Sequence, residues 1–503
     1  MASQWPFSMT MLEHGAFAFC GLLVYVLVTR IGEHRRQPSA AVAWVLVIAM
    51  FPYLGLPLFL LFGTRKFVRP GVLVRTPVAP EPSARGSPAD GADPSEAAGG
   101  RGAAGAAAAA VDGEAAARAP PPSWATSLLA SLGMPAPTGN QTIVFHDDGR
   151  QSLAALVSLV RNARHSLELC TFVLGRDEVG GALIDELSGA AARGVRVRLL
   201  LDAFGSLRSP RNRLQALRVA GGEVRWFMPL LHNPLRGRTN LRNHRKLAIA
   251  DGGTLWGGGR NQAAEYYIER PGHPAWEDLT FTVQGPLAGQ TLALFEHDWQ
   301  VASGRVPQSP LPLAADKPVR SDPFSVATAQ LISSGPDHVD DTVYSLLLSG
   351  AYHAQRRILA VTPYFVPDDA LLSAWCLACR RGVDVTLLIP RRSNHRLADL
   401  ARERSLRQLQ QAGGKVLLHP RMMHAKAIVI DDGLALCGTI NIDARRLFLN
   451  FELMFAFYDR EQIDWVARWS QAHCRRASRH DAQPPGWWRD VLEGIVRAVG
   501  YQL

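Results

Sequence analysis

The chain has 503 residues, with 54 Lys and Arg against 44 Asp and Glu, and six cysteines. That length exceeds what one hydrophobic core organises, so two or three folding units are expected. The positive balance suits an anionic partner, either a phospholipid surface or a nucleic acid. Cysteines this sparse exclude a disulfide scaffold.

Residues 15–29 are uncharged and mostly apolar, and residues 40–62 form an uncharged run of 23. The second run can span a hydrocarbon core of about 30 Å, whereas the first needs its flanks to do so. A short basic loop, RIGEHRRQP, separates them. The pattern predicts a transmembrane helical hairpin over residues 1–67. A secretory signal fits less well, because there is no basic n-region and no clear small-residue cleavage site. Pro52, Gly55 and Pro57 interrupt the second run and would kink it. Arg30, Arg35 and Arg36 in the loop nearly balance Arg65, Lys66 and Arg69 beyond it, so charge does not set the orientation. Two spans put both chain ends on one side, and nothing resembles a disulfide-bearing exported domain, so the bulk is expected in the cytoplasm. Residues 68–125 read as a flexible linker. Their 77–122 stretch of Ala, Gly, Pro and Ser lacks the apolar side chains needed to offset ordering entropy.

From residue 126 the pattern becomes α/β and repeats at about 180 residues. LELCTFVL reads as a strand, GALIDELSGAAARG as a helix and VRVRLLLD as a strand. Later come a helix near 343–355, the strand RILAVTPYF, the helix DDALLSAWCLACRRG and the strand VDVTLLIP. The likeness is visible in the letters: ARGVRVRLLLD against RRGVDVTLLIP, VAGGEVRWF against QAGGKVLLH. The expectation is two α/β lobes, 126–315 and 316–503, with mixed sheets flanked by helices and a pseudo-twofold axis between them. An extra basic stretch, MPLLHNPLRGRTNLR, precedes the first motif as a loop near the site. Cys376 and Cys379, one helical turn apart, read as buried thiols rather than a redox or metal pair. His273, His297 and His419 read as surface or structural. The C-terminal GWWRDVLEGIVRAVGYQL suits either a helix packed on the second lobe or one lying on a membrane surface.

His-x-Lys-x-x-x-x-Asp occurs twice: His244, Lys246 and Asp251, then His424, Lys426 and Asp431. Asn261 and Asn441 each follow their histidine by 17 residues. On a strand, residues two apart share a face, so each His and Lys would line one surface, and two facing surfaces would form one pocket. Cations and amide donors there can stabilise the equatorial oxygens of a phosphoryl transition state without a metal. A neutral histidine can attack phosphorus while a protonated one serves the leaving alkoxide. Asp278 and Glu452 are candidates for a carboxylate behind each ring. Asp251 and Asp431 complete the motif and are counted with the catalytic set, although their place at a strand end also suits a turn. Lysines stand where a metal site needs carboxylates or thiols, so neither metal nor other cofactor is expected.

These residues resemble the phospholipase D superfamily and, within it, bacterial cardiolipin synthases. The most specific stretches are RNHRK at 242–246, TPYFVPD at 362–368 and GTINIDARRLFLNFE at 438–452. The resemblance implies an inner-membrane enzyme that moves a phosphatidyl group from one phosphatidylglycerol to another, releasing glycerol. It also implies His244 as nucleophile and His424 as acid and base, with Tyr364 near the lipid. Gly259 and Thr439 depart from the serine found in many superfamily members at those places. Hydrolysis to phosphatidic acid is the alternative with the same residues. A nuclease is a second alternative that a membrane hairpin disfavours, so no nucleic-acid partner is expected.

Overall fold

A computed structural model describes residues 11–31, 38–62, 120–229, 241–304, 327–338 and 340–499. Most of the expected linker, the bulk of the basic stretch before the first motif, and the expected lobe boundary at 315 lie outside these residues.

Two mixed sheets carry the fold. The seven-stranded sheet runs Thr142–His146, Thr280–Gln284, Thr254–Gly258, Leu247–Ala250, Ser166–Thr171, Arg196–Asp202, Glu223–Phe227. The last three are parallel to one another, and the rest pair antiparallel. The nine-stranded sheet repeats this order from Ala327–Ser334 through Glu452–Phe457, Leu434–Gly438, Ala427–Ile430, Arg357–Val361 and Asp384–Pro390 to Lys415–His419. Thr138–Asn140 and Ser478–Arg479 form its edges. The parallel strands read as continuous apolar runs because helices cover them. In each repeat a helix leads into the next parallel strand, Glu178–Ala192 in one and Asp369–Arg380 in the other. An aspartate caps each start: Asp177 accepts from Val179 N and Gly180 N, and Asp368 from Leu371 N. Each helix ends at a glycine in the left-handed region, Gly194 with φ 89° and Gly382 with φ 91°. That is the physical content of the repeated ARGV and RRGV letters.

The division of the chain differs from expectation at the start of the first lobe. Thr138–Asn140 pairs with Ala327–Ser334 on the second sheet. Trp124, in the preceding helix, stacks on His353 with ring centres 5.0 Å apart. Residues 123–140 thus strap the lobes together. Between the sheets the core is continuous: Phe281 meets Phe455 and Phe457 at 5.0 and 5.2 Å.

At the N-terminus three helices, Met11–Ile31, Pro38–Met50 and Pro52–Phe62, pack around Tyr25, Ile48 and Phe59. The 23-residue apolar run is two helices rather than one span. It breaks at Phe51, before Pro52, and folds back so closely that a side chain on Gly55 would sit 2.7 Å from the Val47 carbonyl oxygen. Among the described residues no helix is long and apolar enough to cross a membrane. At the other end, Trp487–Val499 packs on the Arg396–Gln411 helix and touches Pro38–Met50. Cys376 and Cys379 are half-buried free thiols, less enclosed than expected.

Candidate active site

Each His-x-Lys lies in extended chain just before a strand, not within one. The opposite lobe holds it there. His244 N donates to Phe451 O at 2.9 Å, and Phe451 N to Arg242 O at 2.9 Å. In the other half His424 N donates to Glu277 O at 2.7 Å, and Glu277 N to Met422 O at 2.9 Å. The residue after each acceptor carbonyl is the carboxylate that backs the ring. His244 Nδ1 lies 3.0 Å from the Glu452 carboxylate, and His424 Nδ1 lies 2.6 Å from Asp278 Oδ2. The support is therefore crossed, since each histidine is oriented by a carboxylate from the other half. With Nδ1 of each ring facing its carboxylate, Nε2 is the nitrogen turned to chemistry, and in the second half Lys426 Nζ lies 3.1 Å from His424 Nε2.

Lys246 Nζ donates to the His244 carbonyl at 2.6 Å, and Lys426 Nζ to that of His424. All four side chains are buried. Phe172 lies against His244, and Tyr266 and Trp276 lie against His424. Burial, together with Lys246, Arg446 and Lys426, holds His244 well below the ordinary imidazole value. Burial and Lys426 likewise depress His424 against the pull of Asp278. Burial brings Lys246 down to about 7 despite Glu452 and Asp278, and brings Lys426 down as well. The two carboxylates diverge. Burial alone would raise Asp278, but the His424 ring and Lys426 outweigh it and hold it below its ordinary value. Burial pushes Glu452 up to about 7, with Lys246 and Thr439 opposing.

The expected departures at Gly259 and Thr439 have a geometric cause. A Cβ on Gly259 would fall 2.2 Å from Asp278 Oδ1, so the shorter carboxylate occupies the place of a side chain. Glu452, one methylene longer, instead accepts from the Thr439 hydroxyl at 2.6 Å. Asn261 donates from Nδ2 to the Tyr266 hydroxyl at 2.7 Å and accepts from Val173 N at 3.2 Å. Asn441 is fully buried with neither amide atom bonded.

Asp251 and Asp431 stand apart from this pocket, which corrects their inclusion with the catalytic groups. Each lies just past the far end of its strand, at φ 52° and 51°. Asp251 accepts from the backbone of Arg164, His165 and Ser166, and Asp431 from that of Gln355, Arg356 and Arg357. They tie a turn to the neighbouring strand. Arg446 is the residue that sequence reasoning missed. Its Nη1 donates to Asp443 at 2.7 Å, and its charge bears on His244, Lys246 and Lys426. The signal was present, because Tyr266 and Arg446 each follow their matched asparagine by five residues. Tyr364 is buried, with the Arg446 guanidinium over its ring.

Two mixed sheets that share one histidine–lysine pocket define a phospholipase D-like architecture. The solved phosphatidylserine synthase of Haemophilus influenzae Rd KW20 has it, with a TM-score of 0.57 at 15% identity over 75% of this chain and 98% of that one, a likeness of fold. The family model described as cardiolipin synthase, PLD-like domain, matches residues 156–299 and 347–473, and the phospholipase D-nuclease N-terminal model matches 21–63. A cardiolipin synthase of Geobacillus kaustophilus is 30% identical over 92% of this chain and 88% of its own length. Cardiolipin synthase A of Pseudomonas putida is 30% identical over 86% and 85%. The chain belongs to the cardiolipin synthase family of phospholipase D-like proteins.

Proposed function

We propose that this enzyme makes cardiolipin from two phosphatidylglycerol molecules, releasing glycerol, through a phosphatidyl group held on His244. The observation that carries the reading is the crossed pair, His244 with Glu452 and His424 with Asp278, in one buried cluster where the charge of each lysine bears on both histidines. His244 Nε2 attacks phosphorus, the bond to the glycerol oxygen breaks, and His424 supplies the proton to the departing alkoxide. The second lipid's hydroxyl returns a proton to His424 as it attacks. Lys246 and Lys426 stabilise the non-bridging oxygens.

The divergent carboxylates support this order. An ionised Asp278 favours an imidazolium at His424, whereas Glu452, near neutrality, leaves His244 uncharged and nucleophilic. A phosphodiester between the rings adds the negative charge that offsets burial and brings His424 into its protonated form.

The N-terminal helices are read as the membrane anchor and the two lobes as the catalytic unit. Phe17, Phe19, Leu46, Met50, Phe51 and Leu54 are exposed on those helices, an apolar surface that lipid would cover. Trp487 and Trp488 on the adjoining C-terminal helix are 68% and 76% exposed and would extend that surface. The test is product analysis with labelled phosphatidylglycerol and protein in mild detergent. Cardiolipin and glycerol are expected. Phosphatidic acid as the sole product would convert the reading to hydrolysis.

A further inference from the structure

The pseudo-twofold relation also fails at the matched positions Tyr266 and Arg446, beside the reaction centre. Tyr266 closes its half by bonding Asn261 and lying edge-on to His424. Its counterpart Arg446 does neither. Arg446 turns to Asp443 and lies over the Tyr364 ring, 4.9 Å from its centre. Asn441 is left buried without partners, and Arg446 Nε is likewise buried and unbonded. Such groups are costly when nothing satisfies them. On this side a pocket of about 250 Å³ lies between the start of the Arg396–Gln411 helix and the paired strands Phe365–Val366 and Ile442–Asp443. Asn394, His395, Asp443 and Arg446 give it a polar lining, and Leu397 and Ala398 at the start of the helix give it an apolar wall.

Transfer between two lipids imposes a demand that hydrolysis does not. The acceptor brings its own phosphodiester, which stays one glycerol unit from the phosphorus under attack. It cannot share the lysine cluster with the phosphate being transferred. We propose that the Arg446 pocket is the acceptor subsite, in which Arg446 binds the phosphate of the second phosphatidylglycerol and aims its terminal hydroxyl at the phosphorus on His244. This rests on the phosphatidyl-transfer reading above. In the step itself the hydroxyl oxygen forms the new P–O bond. The P–N bond to His244 breaks with its electron pair returning to the ring, and the hydroxyl proton passes to neutral His424. Asp443 holds Nη1 and also caps the short Ala444–Phe448 helix, so the guanidinium is fixed at the pocket wall. The apolar wall lies on the helix that meets Trp487–Val499, the direction from which acyl chains would arrive.

The test separates two reactions of the full-length enzyme. Exchange of labelled glycerol into phosphatidylglycerol needs only the donor site, whereas cardiolipin formation needs both. Arg446→Gln should lower the ratio of cardiolipin formed to glycerol exchanged by roughly tenfold or more, the size of a lost charge-assisted hydrogen bond, with Arg446→Lys intermediate. Ala398→Phe, which fills the pocket without altering charge near the histidines, should lower the same ratio. A ratio at the wild-type value in both variants would overturn the subsite. Inorganic phosphate should compete with phosphatidylglycerol in cardiolipin formation while sparing exchange, and competition that persists unchanged in Arg446→Gln would also overturn it. Wild-type protein that neither exchanges glycerol nor makes cardiolipin would instead overturn the transfer reading itself.

Discussion

At the scale of single residues, the site works through small asymmetries laid on a duplicated plan. Asp278 and Glu452 play the same part, yet only Asp278 is held below its ordinary value. Asp278→Asn is therefore expected to cost more than Glu452→Gln, on the order of 10²–10⁴ in turnover, the range for a general acid that loses its support. Comparing kcat for the two variants checks this. Glu452 also makes a prediction about stability. Its folded pKa is raised from 4.5 to about 7, so the folded protein binds more protons than the unfolded chain between those values. Its contribution is present below pH 4.5 and is lost as pH rises through about 7. The melting temperature of the wild type relative to Glu452→Gln should fall across that window, and a flat difference would contradict it. Gly259→Ser should disable the enzyme. The added Cβ meets Asp278 Oδ1 at 2.2 Å and must displace the carboxylate from His424. A correctly folded, fully active Gly259→Ser protein would refute this account of the asymmetry.

At the scale of elements, two helices show how one residue decides placement. Pro52 and Gly55 turn the longest apolar run of the chain back on itself, because proline ends one helix and glycine permits the backbone contact that follows. The C-terminal helix is anchored by Glu493, whose buried carboxylate accepts from Arg407 at 2.5 Å and from Arg489 at 3.1 Å. Glu493→Ala leaves Arg407 only the looser 3.8 Å contact with Asp490, and a loss of about 3 kcal/mol is expected from breaking such a buried pair. Denaturant titration reads the loss, and faster proteolytic clipping of residues 487–499 would localise it.

At the scale of the whole molecule, the crossed support makes the two lobes one catalytic unit. Neither half carries both a histidine and the carboxylate that orients it. His244→Ala and His424→Ala should each abolish turnover with the fold intact, and mixing the two inactive proteins should restore nothing. Recovery on mixing would mean that lobes exchange between chains. Thr138–Asn140 argues against exchange, since it ties residues preceding the first sheet to the edge of the second.

Much of this was legible beforehand. The doubled motif, the matched asparagines and the repeated helix–strand letters are local patterns, and local patterns record backbone preference, burial period and capping directly. They sufficed for two α/β lobes, for the histidines and lysines, and for Asp278 and Glu452 as candidates. They did not reveal that the carboxylates cross between lobes, that the second apolar run folds back, or that Arg446 stands where symmetry would put a tyrosine. Each of these depends on which surfaces meet in space, and the packing of distant segments decides that. The chain by itself determined the chemical groups and their repeat. The tertiary structure alone decided their partners, because a charge or hydrogen bond takes its strength from burial and from neighbours that are far away in sequence.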